Sequence, residues 1–336
     1  MPVGVAIAMT AKTFARTAWK VGACLLLGLL GARAHAQGAS CAGPFAVAYR
    51  TLHFDDGREV SVWYPSAGAG APAEAAAVSG CMRWPLVLFS HGLAGCGAQA
   101  VYITEEIARH GYVVVAPNHH DALCGKPVES RRWNPGSATQ PPFLQPERWD
   151  ARAHRDRLLD LQDALQRVEH DEDLGAHVDA SRIGLLGHSL GGYTVLGVAG
   201  AWPDWKLPGV RAVVAVSPFT EPFLAHRRMS ALRVPVMFQG GTLDFPITPY
   251  LRGSSGAYAL SPSPKFLVVL EGATHLAWTN WLCGSSQETA ACLANSPNAQ
   301  RIDAYTIAFL DRYLKDRPAP LLAGKGEGLA EWQYAP

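Results

Sequence analysis

The stretch RIGLLGHSLGGYT, from Arg182 to Thr194, decides the fold of this chain. It contains a short apolar run, Ile183 to Leu186, then the pattern G-x-S-x-G around Ser189, then a helix-compatible segment, Tyr193 to Ala199. A strand, a tight turn and a helix in this order place a serine hydroxyl at the exposed tip of the turn, where the glycines leave room for close backbone approach. The pattern predicts that Ser189 is a nucleophile at the carboxyl end of a buried strand.

Apolar runs of strand length lie on both sides of this stretch. They are Leu86 to Ser90, Tyr112 to Ala116, Ala212 to Val216, Pro235 to Gln239 and Phe266 to Leu270. Such continuous runs are typical of buried parallel strands. A helical pattern is clearest at Arg152 to Val168, whereas Ala46 to Phe54 and Arg58 to Tyr64 alternate like an antiparallel hairpin. The predicted fold class is α/β: a mostly parallel wound sheet with an N-terminal antiparallel edge and helices on both faces.

Composition excludes several classes of protein. The chain has 336 residues, of which 49% are hydrophobic and 17% are charged, and its formal net charge is +1. These values indicate a globular chain rather than a disordered one. The balanced charge argues against nucleic acid as a partner.

The first 36 residues form a separate unit. Lys12, Arg16 and Lys20 precede the apolar run Val21 to Leu30, which leads to the small-residue site Ala34-His35-Ala36. The run is about half of the roughly 20 residues that span a bilayer. We therefore expect a secretory signal peptide at 1–36, cleaved near Ala36, and a single catalytic domain at 37–336. We also expect no transmembrane anchor and an extracellular or periplasmic location.

Cysteine usage agrees with an oxidising compartment. Six cysteines remain after cleavage: Cys41, Cys81, Cys96, Cys124, Cys283 and Cys292. An even number in an exported chain indicates disulfides, and we predict the local pair Cys283 with Cys292. No C-x-x-C or H-E-x-x-H pattern occurs, and adjacent His119 and His120 would point to opposite sides of a strand end. We therefore expect no metal site.

Two further side chains follow predicted strands. Asp244 comes after Pro235 to Gln239, and His275 comes after Phe266 to Leu270. The carboxyl ends of parallel strands share one edge of the sheet, so Ser189, Asp244 and His275 are expected to meet there. A serine hydroxyl needs a base and an acid that orients the base, and their chain order here is Ser, acid, His. Glu221, which follows the preceding strand, is the alternative acid.

Such chemistry also needs two backbone N–H groups that stabilise an oxyanion. Leu190, directly after the nucleophile, supplies the first. The segment SHGLAG, which starts at Ser90, follows an early strand, and there Leu93 is the best donor because Gly92 lets the backbone approach. We expect His91 to hold this loop in place.

Two segments are candidates for binding substrate. The stretch 121–150 is rich in proline, contains Trp133, and is too long for an ordinary connection. It is either a substrate loop or a surface excursion. Trp278 and Trp281 closely follow His275, and they either line a pocket or cover core.

At four motifs the sequence resembles the α/β-hydrolase superfamily. Within it, the chain is similar to the group that contains platelet-activating-factor acetylhydrolases, dienelactone-hydrolase-like proteins and bacterial polyester hydrolases. The motifs are PLVLFSHGLAG (85–95), IARHGYVVVAPNHHD (107–121), RIGLLGHSLGGYT (182–194) and EGATHLAW (271–278), and the likeness spans roughly 45–315. It implies hydrolysis of carboxylic esters through an acyl-enzyme, without a cofactor, by Ser189, Asp244 and His275.

The chain also departs from parts of this group. True dienelactone hydrolases have a cysteine where Ser189 stands, and animal acetylhydrolases place their acid one strand earlier, near Ser217 to Glu221. The resemblance leaves the substrate open among small-molecule, lipid and polymer esters. An amidase or peptidase with the same triad, and a non-catalytic binding protein on this fold, are the alternatives.

Overall fold

The computed structural model describes Met1 and residues 43–66, 83–124, 140–284 and 288–336. The expected signal peptide, the cysteines at 41 and 81, Trp133 and the middle of the expected substrate loop lie outside the described residues.

In the described residues, nine strands form one sheet in the order β1-β2-β4-β3-β5-β6-β7-β8-β9. The strands are β1 (Ala46–His53), β2 (Glu59–Ser66), β3 (Trp84–Ser90), β4 (Val113–Pro117), β5 (Val178–His188), β6 (Val210–Val216), β7 (Val236–Gly241), β8 (Lys265–Leu270) and β9 (Leu329–Ala335). Strands β3 to β8 pair in parallel, and β1 and β2 form an antiparallel hairpin at one edge. The predicted α/β class and its N-terminal antiparallel edge are confirmed.

Helices cover both faces of this sheet. They are α1 (Val101–Arg109), α2 (Arg155–Glu169), α3 (Leu190–Leu196), α4 (Glu221–Ala225), α5 (Thr248–Leu251), α6 (Ala257–Leu260), α7 (Thr289–Asn295) and α8 (Pro297–Leu314). Side chains of a strand alternate between faces. In β3, Leu86 and Leu88 therefore join one buried cluster with α2 and α3, while Val87 and Phe89 join a second with α1 and α8.

The far edge of the sheet differs from the expectation. There β9 pairs antiparallel with β8, from Lys265 opposite Ala335 to Leu270 opposite Leu329. Most side chains of β9 are only partly buried, so this edge strand tolerates the mixture of polar and apolar residues in its sequence, LAEWQYA. It therefore lacks the continuous apolar run by which the inner strands were recognised.

Among the described residues, two disulfides lie at the carboxyl edge of the sheet or close to it. The predicted pair Cys283–Cys292 is confirmed. A second bridge, Cys96–Cys124, ties the loop after β3 to the loop after β4 across 28 residues of sequence. Among the described residues, no helix combines the length and the apolar character that a membrane crossing requires.

Candidate active site

Ser189 occupies a strained turn between β5 and α3. Its φ is +54°, a left-handed value that is rare for a residue with a side chain. A Cβ on Gly187 would lie 2.2 Å from the Gly191 carbonyl oxygen, and a Cβ on Gly191 would lie 1.9 Å from the Ser90 carbonyl oxygen. Both positions therefore require glycine, and the turn they permit lifts the Ser189 hydroxyl to the sheet edge.

The structure brings Ser189, His275 and Asp244 together. The Ser189 Oγ lies 3.0 Å from His275 Nε2, and Asp244 Oδ1 lies 3.0 Å from His275 Nδ1. Asp244 is 1% exposed, whereas the His275 side chain is 30% exposed. A carboxylate only accepts hydrogen bonds, so Nδ1 carries the hydrogen and Nε2 accepts the serine proton. The geometry thus suits deprotonation of Ser189 at a partly open site.

Ser217 and Thr248 complete the surroundings of Asp244. The Ser217 hydroxyl donates to Asp244 Oδ2 at 2.7 Å and also lies 2.7 Å from His275 Nδ1. The Thr248 hydroxyl donates to the same carboxylate oxygen at 3.1 Å. Neither residue carries a sequence motif, so neither was predicted.

A second histidine supports the loop that carries His275. Burial is the main cause that lowers the pKa of His188 to about 3, and the nearby His275 lowers it further. This imidazole is therefore neutral. Its Nδ1 lies 3.1 Å from Gln99 Nε2, and its Nε2 lies 2.9 Å from the His275 carbonyl oxygen. Because the Gln99 amide nitrogen donates to Nδ1, Nε2 carries the hydrogen and donates to the His275 carbonyl.

The loop after β3 reaches the nucleophile as predicted from SHGLAG. A Cβ on Gly92 would lie 3.5 Å from the Ser189 Cβ, so the backbone of this loop passes directly beside the serine. Leu93 follows in this loop, and Leu190 is the first residue of α3, whose N–H has no acceptor inside the helix. Leu190 is thus the next residue after Ser189, and Leu93 follows the glycine that lies beside it; their role as oxyanion donors stays a prediction.

A buried ion pair holds this loop. The fully buried Arg157 guanidinium contacts Asp121 at 2.7 Å and donates to the His91 carbonyl at 2.7 Å. Asp121 in turn accepts a hydrogen bond from the Ala94 N–H at 3.1 Å. Burial opposes ionisation of Asp121, but the Arg157 charge outweighs it and keeps the pKa of this carboxyl below its ordinary value. The loop that carries Leu93 is thus bonded on both sides of that residue.

A second Ser-His-Asp set lies behind the same loop. The Ser90 Oγ is 2.9 Å from His119 Nε2, and His119 Nδ1 is 2.9 Å from Asp160 Oδ2. Ser90 and His119 have no exposed surface, and Asp160 is 4% exposed. A substrate carbonyl cannot reach Ser90, so these contacts satisfy buried polar groups rather than form a reaction centre.

The two tryptophans expected to bind substrate lie in different surroundings, one in the core and one at the surface. Trp278 is fully buried, and its indole N–H donates to Gln239 Oε1 at 2.9 Å. The prediction that Trp278 lines a pocket is therefore wrong, because its side chain packs in the core beneath the His275 loop. Trp281 is 79% exposed and lines a surface cavity of about 740 Å³ next to the Cys283–Cys292 disulfide.

Exposed apolar side chains flank the triad residues. Leu243 and Phe245 stand on either side of Asp244, and Leu276 directly follows His275. Leu144, in the described end of the segment 121–150, is also exposed. Leu243, Phe245 and Leu276, the three that adjoin triad residues in sequence, are named the apolar rim. Apolar groups beside a polar site indicate a surface that binds an apolar partner or substrate.

Glu221, the alternative acid, does not contact His275 Nδ1, which Asp244 and Ser217 occupy. Its carboxylate accepts a hydrogen bond from the Thr220 N–H at 2.9 Å. Burial raises the pKa of Glu221 from 4.5 to about 7. Glu221 is therefore a partly buried carboxyl that folding keeps protonated in mildly acidic solution.

The raised pKa of Glu221 predicts a pH dependence of stability. Between about pH 4.5 and pH 7 the folded protein retains a proton that the unfolded chain has lost, so this contribution to the free energy of unfolding falls as pH rises. The pKa difference corresponds to roughly 3 kcal/mol. Glu221→Gln should therefore be more stable than wild type at pH 8 and similar to it at pH 5, by urea unfolding. The prediction is contradicted if Glu221→Gln changes the free energy of unfolding equally at pH 5 and pH 8. It is also contradicted if the exposed control Glu172→Gln is stabilised at pH 8 and unchanged at pH 5.

Comparisons with known proteins found similarity to ester hydrolases. Residues 60–127 match the family model described as platelet-activating factor acetylhydrolase, isoform II. Cutinase 2 of Thermobifida cellulosilytica and cutinase cut1 of Thermobifida fusca are each 28% identical over 230 residues, which cover 68% of this chain and 68% and 56% of those proteins. Cutinase est1 of Thermobifida alba is 30% identical over 193 residues, or 57% of this chain and 53% of that protein. The chain therefore spans between about half and two thirds of these relatives. In its motifs, its sheet and these likenesses, the chain is similar to serine ester hydrolases of the α/β-hydrolase superfamily.

Proposed function

We propose that the protein is a secreted esterase that hydrolyses carboxylic esters through an acyl-enzyme on Ser189. The observation that carries this proposal is the unbroken series of contacts from Ser189 Oγ through His275 to the buried Asp244. The two disulfides support export, because such bonds persist in oxidising compartments.

In the proposed cycle, His275 Nε2 takes the Ser189 proton as Oγ attacks the ester carbonyl, and the Leu93 and Leu190 N–H groups stabilise the oxyanion. Collapse of this intermediate breaks the bond to the alcohol, which leaves with the proton from His275. Water, deprotonated by the same imidazole, then attacks the acyl group and releases the acid and free Ser189. Asp244 fixes the imidazole throughout, and the cycle needs no cofactor.

The apolar rim supports an ester that presents an apolar surface. Leu243, Phe245 and Leu276 are exposed and adjoin triad residues in sequence, so a bulky apolar substrate could contact them. The relatives that match over most of this chain are named cutinases. We therefore propose a polymer ester such as cutin as the substrate class, ahead of soluble short-chain esters and dispersed lipids.

The test is covalent labelling by a fluorophosphonate probe, followed by peptide mapping, together with hydrolysis of p-nitrophenyl esters from acetate to palmitate. We expect one adduct, on Ser189, with no adduct on Ser90, because the second Ser-His-Asp set is closed to solvent. Labelling of Ser90 would contradict the assignment of the site. A labelled protein that cleaves amides but no ester would favour the amidase alternative, and a protein neither labelled nor active would favour a binding protein.

A further inference from the structure

We propose that Ser217 is a positioning residue for the proposed triad. In this proposal, which rests on the proposed function, its hydroxyl holds the His275 imidazole and the Asp244 carboxylate in their reactive orientation. The role would be distinct from that of Ser189, since Ser217 has no exposed surface and cannot touch a substrate.

The contacts of the Ser217 hydroxyl give the first argument. Its Oγ lies 2.7 Å from both Asp244 Oδ2 and His275 Nδ1, closer to the imidazole than Asp244 Oδ1 at 3.0 Å. A hydroxyl has one hydrogen and two lone pairs. Since the carboxylate takes the hydrogen, a lone pair of Ser217 faces the Nδ1–H. The imidazole is therefore held by two acceptors that are themselves joined, which restricts its rotation.

The backbone of Ser217 gives an independent argument. Its φ is +44°, in the left-handed region that a residue with a Cβ adopts only at an energetic cost. Glycine would adopt this conformation freely. The Ser217 N–H donates to the Gln239 carbonyl at 2.7 Å, which fixes the residue between the ends of β6 and β7. A strained serine at a position suited to glycine indicates that the hydroxyl has a role of its own.

The test compares Ser217→Ala and Ser217→Gly with Thr220→Val. Thr220 is a matched control, because it is fully buried three residues later and its hydroxyl has no hydrogen-bond partner within the described part of the chain. For p-nitrophenyl butyrate we expect both Ser217 variants to lose roughly 10- to 100-fold in kcat, the size expected for a hydrogen bond to a charged group, with little change in KM. Thr220→Val should keep the wild-type values.

Ser217→Gly separates the hydroxyl from the backbone, because glycine keeps the positive φ without strain. If Ser217→Gly, folded by circular dichroism, retains wild-type kcat, the proposal is wrong. A direct readout is the low-field proton resonance of His275 Nδ1–H, which should shift in both Ser217 variants and stay in place in Thr220→Val. An unchanged resonance would also overturn the proposal. This measurement needs no substrate, so it distinguishes failure of this inference from failure of the proposed esterase activity.

Discussion

Replacing Ser189 by alanine is expected to lower kcat for p-nitrophenyl butyrate by at least about a thousandfold, and by as much as ~10⁶-fold. The reason is that Ser189 Oγ is the only group of the proposed triad able to form the acyl-enzyme. Binding of the ester does not need this oxygen, so KM should change little. The oxyanion donors remain and would account for residual catalysis above the rate in water.

The matched control for this measurement is Ser181→Ala. Ser181 lies on the same strand, β5, near its opposite end, and is exposed. It should retain wild-type kcat. If folded Ser189→Ala stays within tenfold of wild type, the acyl-enzyme mechanism is wrong whatever the control shows.

The second large effect is on stability. Arg157→Met should lower the free energy of unfolding by about 3–5 kcal/mol, because it leaves the buried carboxylate of Asp121 without its cation. The His91 carbonyl would also lose its donor. Since both contacts hold the loop of Leu93, kcat should fall as well. Urea unfolding and ester hydrolysis measure the two effects.

A double variant tests the electrostatic cause. Arg157→Met combined with Asp121→Asn removes the unpaired charge, so it should regain part of the stability that Arg157→Met loses. Arg152→Met is the control, since Arg152 pairs with Asp150 at the surface, and the free energy of unfolding of this variant should stay close to that of wild type. Equal instability of the single and double variants would contradict the charge argument.

The sequence predicted the parts of the site that depend on local backbone geometry. The glycines around Ser189 leave a recognisable pattern because no other residue fits within 2.2 Å of the facing carbonyls. Asp244 and His275 were predicted to meet because parallel strands bring their following loops to one edge, and their side chains lie 3.0 Å apart. Polarity alone did not distinguish Asp244 from Glu221. The structure distinguishes them, because Asp244 Oδ1 lies 3.0 Å from His275 Nδ1.

Other features depend on tertiary contacts that one sequence does not display. Trp278 follows His275 as a pocket residue would, yet Gln239 accepts a hydrogen bond from its indole N–H inside the core. Ser217 is an isolated serine after a strand, without a pattern around it. The burial of Arg157 could have been predicted from the sequence, since this residue lies on the apolar face of α2 beside Leu158 and Leu161. A charge on such a face indicates a buried partner, and that partner is Asp121.

For the proposed exported esterase, the Cys96–Cys124 bridge would protect the cell that makes it. It cross-links the loop of Leu93, while the triad lies on other segments. In the cytosol, where thiols stay reduced, the newly made chain would have its nucleophile and base but not this cross-link. Full catalytic competence would therefore arrive with export, after the cell's own esters are out of reach.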